Sequence, residues 1–251
     1  MSQQFVIAPE TIIQAYTLGI FPMAASKDAE DIQFFQPDIR GVLPIRPPHI
    51  PKRLQRLLRK QPFEIHWNQN FPAVIDGCAA PRSDKQDTWI NPQIRRLYIS
   101  LHMLGFAHSV EVYEEGQLVG GLYGVAIGGA FFGESMFSRV SNASKIALCH
   151  LMARLRYGNF KLLDAQFVND HLIQFGIESI DKDDFQKQLE HAINSKASLD
   201  LDVPESIILQ FWIYAPERER ESWGNQRQFS WSVFYFLPGI IRLLSSYKSS
   251  L

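Results

Sequence analysis

Three stretches in the middle of the chain alternate between apolar and polar positions in the way strands do. "HSVEVY" turns at "EEGQ" into "LVGGLYGVAI", and "GG" turns that into "AFFGESMF". The spacing predicts a three-stranded antiparallel meander. Helical periodicity flanks it. In "NPQIRRLYISLHMLG", Asn91 suits an N-cap, Pro92 the first position and Gly105 the residue just past the end. A second helix opens near Asn142, with Leu148, Leu151, Met152 and Leu155 on one face. "FKLLDAQFV" alternates as a further strand, and helical segments are expected at residues 171–175 and 183–192. At the front, a helix is expected from about Pro9 to Leu18, ended by Gly19, after which "GIFPM" turns the chain. A Pro-rich stretch, "RGVLPIRPPHIPK", leads into "KRLQRLLRK", where Leu54, Leu57 and Leu58 form one face. A meander, a helix and a further strand predict an α+β architecture.

Composition narrows the class. With 251 residues, 46% of them apolar and 20% charged, the chain has the make-up of an ordinary globular protein of one large domain and at most a small companion. The net charge of −1 gives no global attraction to nucleic acid, so such binding needs a local patch. One candidate exists: residues 39–61 carry Arg40, Arg46, Lys52, Arg53, Arg56, Arg59 and Lys60 and no acid. This run is either a solvated amphipathic helix or a basic face for phosphates. Cys78 and Cys149 stand far apart, which argues for a reducing compartment and against a zinc site. The N-terminus lacks the pattern of a signal peptide, so a cytoplasmic protein is expected. The apolar "FSWSVFYFLPGII" at 229–241 is short of a membrane span and is expected to dock or to lie at an interface.

The candidate chemistry lies in the strands. Glu134 is a lone acid among Phe131, Phe132, Met136 and Phe137, and a buried carboxylate is costly unless something pairs with it. Asp164 and Gln166 are two apart, so on a strand they point to one face. Two acids and an amide in an apolar wall form either a structural hydrogen-bond network or a site that holds a cationic amine for attack. Histidines fall in no metal-binding spacing, the serine of "GESMF" lacks the setting of a nucleophile elbow, and no Walker lysine follows the glycines. Neither metal nor cofactor is expected. After the third strand, "RVSNAS" stands where acyl-CoA-dependent N-acetyltransferases of the GNAT fold have a pyrophosphate loop, but Asn142 and Ser144 replace its small residues.

Several motifs occur together and in order: "AYTLGIFPM", "QPDIRGVLP", "CAAPR", "TWI", "YISLHMLGFAHSVEVY", "GESMFSRVSNASK" and "LLDAQFVNDHL". From about Ala15 to about Trp212 the chain closely resembles the bacterial leucyl/phenylalanyl-tRNA–protein transferases. The resemblance implies a small N-terminal domain at 1–40, a GNAT-like catalytic domain at 41–213 and an atypical extension at 214–251. It implies transfer of Leu or Phe, less well Met, from aminoacyl-tRNA to proteins with N-terminal Arg or Lys, marking them for degradation. It also implies a monomer. Asp164, Gln166 and Glu134 are implied at the reacting centre, with Asn169 nearby. Phe131, Met136, Leu148 and Leu163 would form the donor side-chain pocket, Trp89 and Tyr98 would contact the terminal adenosine, and Arg40, Arg53, Arg56, Arg59 and Lys60 would hold the acceptor stem. The chain departs from the family in having Met23 where a Trp is usual, Phe34–Phe35 for a Trp pair, Ile39 for a Pro, and no upstream "GGDL". The alternatives are an acyl-CoA-dependent N-acyltransferase and a non-catalytic RNA- or membrane-binding relative.

Overall fold

A computed structural model describes residues 7–46, 50–81 and 87–214. Helix α1 (Pro9–Thr17) leads into a hairpin of β1 (Phe21–Ala24) and β2 (Ile32–Phe35). Then follow β3 (Ile39–Leu43), α2 (Lys52–Lys60), β4 (Glu64–Trp67), α3 (Phe71–Ala79) and α4 (Pro92–Met103). The meander is β5 (Ala107–Glu114), β6 (Gln117–Ile127) and β7 (Ala130–Ser138). After it come α5 (Ala143–Tyr157), β8 (Leu162–Asp164), α6 (Asp170–Ile173), β9 (Glu178–Asp181), α7 (Lys182–Ile193) and α8 (Glu205–Leu209), which runs on into a π-helical turn, Gln210–Tyr214.

The meander anchors a seven-stranded mixed sheet in the order β4-β5-β6-β7-β8-β3-β9, in which β7 and β8 are the parallel pair. Apolar side chains leave the sheet on both faces. One face packs under α1, α3, α4 and α7, around Tyr16, Phe71, Tyr98, Tyr123, Phe132 and Phe185. The other packs under α2, α5 and α8, around Leu54, Phe131, Leu148, Met152 and Leu163. The α+β reading therefore holds, with helices on both faces of the sheet.

Helix ends follow their capping residues. Asn91 Oδ1 accepts from Ile94 N at 2.8 Å, and Asn91 Nδ2 donates to Ala29 O at 2.8 Å, so one side chain caps α4 and ties down the preceding loop. The structure corrects three expectations. "GIFPM" turns the chain only at its first residue, Gly19, and then enters strand β1, because Phe21–Ala24 pair with Ile32–Phe35. "FKLLDAQFV" keeps only three strand residues, since Gln166 takes a left-handed φ of +56° just past Asp164. The Pro-rich stretch begins with a strand, β3, inserted between β8 and β9. The apolar segment at 229–241 and the proposed extension at 214–251 lie, apart from Tyr214, outside the described residues; no described helix is long and apolar enough to cross a membrane.

Candidate active site

β7 outruns its parallel neighbour. Its register with β8 covers Ala130, Phe131 and Phe132, matched to Leu162, Leu163 and Asp164. Beyond that point β8 ends, while β7 continues through Gly133, Glu134 and Ser135. The sheet opens there, and the candidate residues collect around the opening.

Glu134 reaches this place through an irregularity of the strand. Gly124 pairs with Gly133 and Tyr123 with Ser135, so Glu134 is the extra residue of a β-bulge. A bulge re-aims a side chain and reverses the alternation beyond it. Before the bulge, even-numbered Phe132 faces the α4 side; after it, odd-numbered Phe137 does. Glu134 lies on that side with Tyr16 of α1 and Tyr98 of α4. The Tyr16 hydroxyl oxygen lies 2.5 Å from Glu134 Oε1, that of Tyr98 lies 2.9 Å from Oε2, and the two hydroxyl oxygens lie 2.5 Å apart. Burial pushes the Glu134 carboxyl up to about 7; hydrogen bonds donated to it by the two tyrosines would work against the rise, as Arg40 does, and Asp164 adds to it. Burial likewise raises the phenols of Tyr16, Tyr98 and Tyr123. The Tyr123 hydroxyl is buried beside this group without a hydrogen-bond partner among the described residues.

Asp164 is fully buried at the end of β8 and meets Arg40 of β3 in a two-pronged ion pair, Nε to Oδ1 at 2.9 Å and Nη2 to Oδ2 at 2.6 Å. Arg40 also donates through Nη1 to Gly19 O at 2.8 Å and lies over the rings of Phe21 and Phe185. The backbone N–H of Gln166 donates to Asp164 Oδ1 at 3.0 Å, and its Nε2 to Oδ2 at 3.3 Å. Asp164 and Gln166 thus stand together as expected, but through a left-handed turn and not through strand alternation. Gly41 makes room for that turn: a Cβ there would lie 2.8 Å from the carbonyl carbon of Phe167.

Two expectations change. Arg40 is not part of an exposed basic face, because its guanidinium is 1% exposed and committed to Asp164. Tyr98 offers no ring to stack on a base; it is fully buried, edge to face with Tyr123, with its hydroxyl on Glu134. Arg53, Arg56, Arg59 and Lys60 do lie exposed along α2. Trp89 is partly buried, and its carbonyl accepts from Ala24 N at 3.3 Å, which sets it beside the strand that carries Met23. Asn169 is exposed and caps α6 through Leu172 N. Phe131, Leu148 and Leu163 are buried and Met136 half-buried in the cluster on the α5 face, opposite the Glu134 carboxylate. Sequence reasoning missed Tyr16, which is 118 residues from Glu134, and the inward turn of Arg40. A further buried acid, Glu111, is satisfied by Ser109 and by the amides preceding α3, and it has the partners of a structural residue.

A sequence model of the leucyl/phenylalanyl-tRNA protein transferases matches residues 42–190, and one of that family's N-terminal domain matches residues 6–38. The chain belongs to this family. It is 48% identical over 194 residues to a leucyl/phenylalanyl-tRNA–protein transferase of Paramagnetospirillum magneticum, covering 77% of this chain and 93% of that one. A transferase of the same name from Hyphomonas neptunium is 50% identical over 193 residues, covering 77% and 74%. Another from Zymomonas mobilis is 49% identical over 190 residues, covering 76% and 71%. Within the leucyl/phenylalanyl-tRNA–protein transferase family, the match that begins at residue 42 takes in the bulge, the Asp164–Gln166 turn and only the end of β3, while Arg40 falls between the two matched segments.

Proposed function

We propose that this protein is an aminoacyltransferase that moves leucine or phenylalanine, and less readily methionine, from aminoacyl-tRNA to the α-amino group of polypeptides beginning with Arg or Lys, marking them for degradation in the cytoplasm. The observation that carries this reading is the arrangement at the opening between β7 and β8: a buried, charge-compensated Asp164 holding Gln166, with a second carboxyl, Glu134, on the neighbouring strand.

The ester of an aminoacyl-tRNA is already activated, so alignment and a preorganised polar setting supply most of what attack by an amine needs. Because Gln166 Nε2 is engaged by Asp164, its carbonyl oxygen is the end left to accept an N–H from the incoming amine. A neutral amide is a poor base, and we assign Asp164 and Gln166 the task of orienting the amine. Phe131, Met136, Leu148 and Leu163 would form the wall of the donor side-chain pocket, entered where the strands part. A hydrophobic pocket distinguishes one methylene by about 1–3 kcal/mol, which fits mixed use of Leu, Phe and Met. Trp89 would face the terminal adenosine, and α2 would hold the acceptor stem. In this reading residues 1–40 and 41–213 are the two domains, the second of GNAT-like build. Against use of acyl-CoA stands the start of α5, where Ser138 Oγ accepts from Ser144 N at 2.8 Å and already occupies part of the helix terminus that would hold a pyrophosphate.

The test is a transfer assay with labelled leucyl-tRNA and two peptides that differ only in an N-terminal Arg or Ala. Label is expected on the Arg peptide alone, and D164A is expected to abolish it while tRNA affinity stays within twofold. Transfer from acyl-CoA, or equal labelling of both peptides, would overturn the proposal.

A further inference from the structure

The three groups that meet at Glu134 pose a counting problem. Tyr16 Oη, Tyr98 Oη and the Glu134 carboxyl make three mutual contacts, at 2.5, 2.5 and 2.9 Å. Each contact at such a distance needs a proton between the oxygens. The two phenols supply two. If both are given to a carboxylate, the 2.5 Å contact between the hydroxyls has none, and two oxygen lone pairs face each other. A third proton removes the conflict: Glu134 donates to Tyr16, Tyr16 to Tyr98, and Tyr98 back to the other carboxyl oxygen, closing a ring in which each of the three groups donates once and accepts once.

We propose that Tyr16 and Tyr98 are positioning residues that hold Glu134 as a neutral carboxylic acid in the free protein. The charges facing the ring agree with this. Tyr16 comes from α1, Tyr98 from α4 and Tyr123 from β6, all neutral phenols, with Cys78 of α3 beside Tyr123. Asp164 of β8 repels a second negative charge, and Arg40 of β3, which would attract one, is already committed to Asp164 in a two-pronged pair. The resting site therefore holds one ion pair and one neutral acid. Such an acid can donate as well as accept, so it can meet an ester oxygen or an uncharged amine, and it accommodates an ammonium by losing its proton. That use rests on the aminoacyl-transfer reading; the protonation state itself does not.

Infrared spectra of 13C-glutamate-labelled protein, taken as wild type minus E134Q, isolate the Glu134 carboxyl between about pH 5 and about pH 8.5. The wild type is expected to show the carboxylic acid at low pH, converting with a midpoint well above the ordinary glutamate value. Y98F and Y16F leave a single phenol proton for a single contact, so the demand for a third proton disappears and the midpoint is expected to fall. If the tyrosines only donate to a carboxylate, removing either one raises the midpoint. A raised or unchanged midpoint in Y98F, or a carboxylate in the wild type throughout, overturns the proposal. Should Y16F not fold, Y98F still decides. The measurement uses neither tRNA nor peptide, so failure of the transfer assay leaves it intact, and failure here leaves the transferase reading intact.

Discussion

Because burial lifts the Glu134 carboxyl to about 7, the folded protein keeps a proton that the unfolded chain gives up near the ordinary glutamate value. Between those two values the native state binds more protons than the unfolded one, so stability is greatest below about pH 4.5 as far as this group is concerned and falls as pH rises toward 7. The span is up to about 3 kcal/mol. Urea midpoints at about pH 5 and about pH 7.5 measure it, and E134Q is expected to lack this component, since its amide can donate to one tyrosine and accept from the other. The oddness of Glu134 among phenylalanines was plain in the sequence. Its partners were not, because Tyr16 and Tyr98 lie 118 and 36 residues away and carry no local pattern that separates them from core tyrosines.

Among the elements, α2 is the one whose surface has no packing reason for its charge. Leu54 and Leu58 are buried, the basic residues lie outside, and no acid stands on the helix. R53A/R56A/R59A is expected to leave stability within about 0.5 kcal/mol. It should weaken tRNA binding and lower the slope of log affinity against log salt by about one per lost phosphate contact, as a salt titration reads. Unaltered binding would leave α2 as a solvated helix. Elements with strong end signals were legible: α4 begins at its Asn91 cap and stops before Gly105. β3 and β9 were hidden, since strands of five and four residues offer too little alternation and the first abuts a Pro-rich stretch. The β-bulge was hidden as well. It depends on the register with β6, and one strand's sequence does not contain that.

At the scale of the whole fold, Arg40 joins parts of the chain that lie far apart in sequence. Its guanidinium joins the end of α1 through Gly19, the first hairpin through Phe21, α7 through Phe185 and β8 through Asp164. Removing one partner of a buried ion pair leaves the other charge uncompensated, at a cost of about 3–5 kcal/mol. R40M is expected to lose that much in urea unfolding, and R40M/D164N to recover a large part of it. Additive losses in the double variant would show that the pair does not act as a unit. A linear count of positive charge put Arg40 with the exposed arginines downstream; only the path of β3 between β8 and β9 turns it inward.

The bulge in β7 also decides how this protein can change. On a regular strand every position belongs to one face or the other, and altering a buried residue disturbs a core. Glu134 is a supernumerary position, inserted between Phe132 and Phe137 without taking a place in either apolar layer. Deleting it would restore strict alternation and leave Met136 and Phe137 on the sides they already occupy, removing only the bulge that aims a side chain at Tyr16 and Tyr98. Substituting it likewise leaves both layers in register. The two apolar layers thus depend neither on the presence of this residue nor on its chemistry, so a relative could lose or replace this acid and still be made, folded and present in the cell.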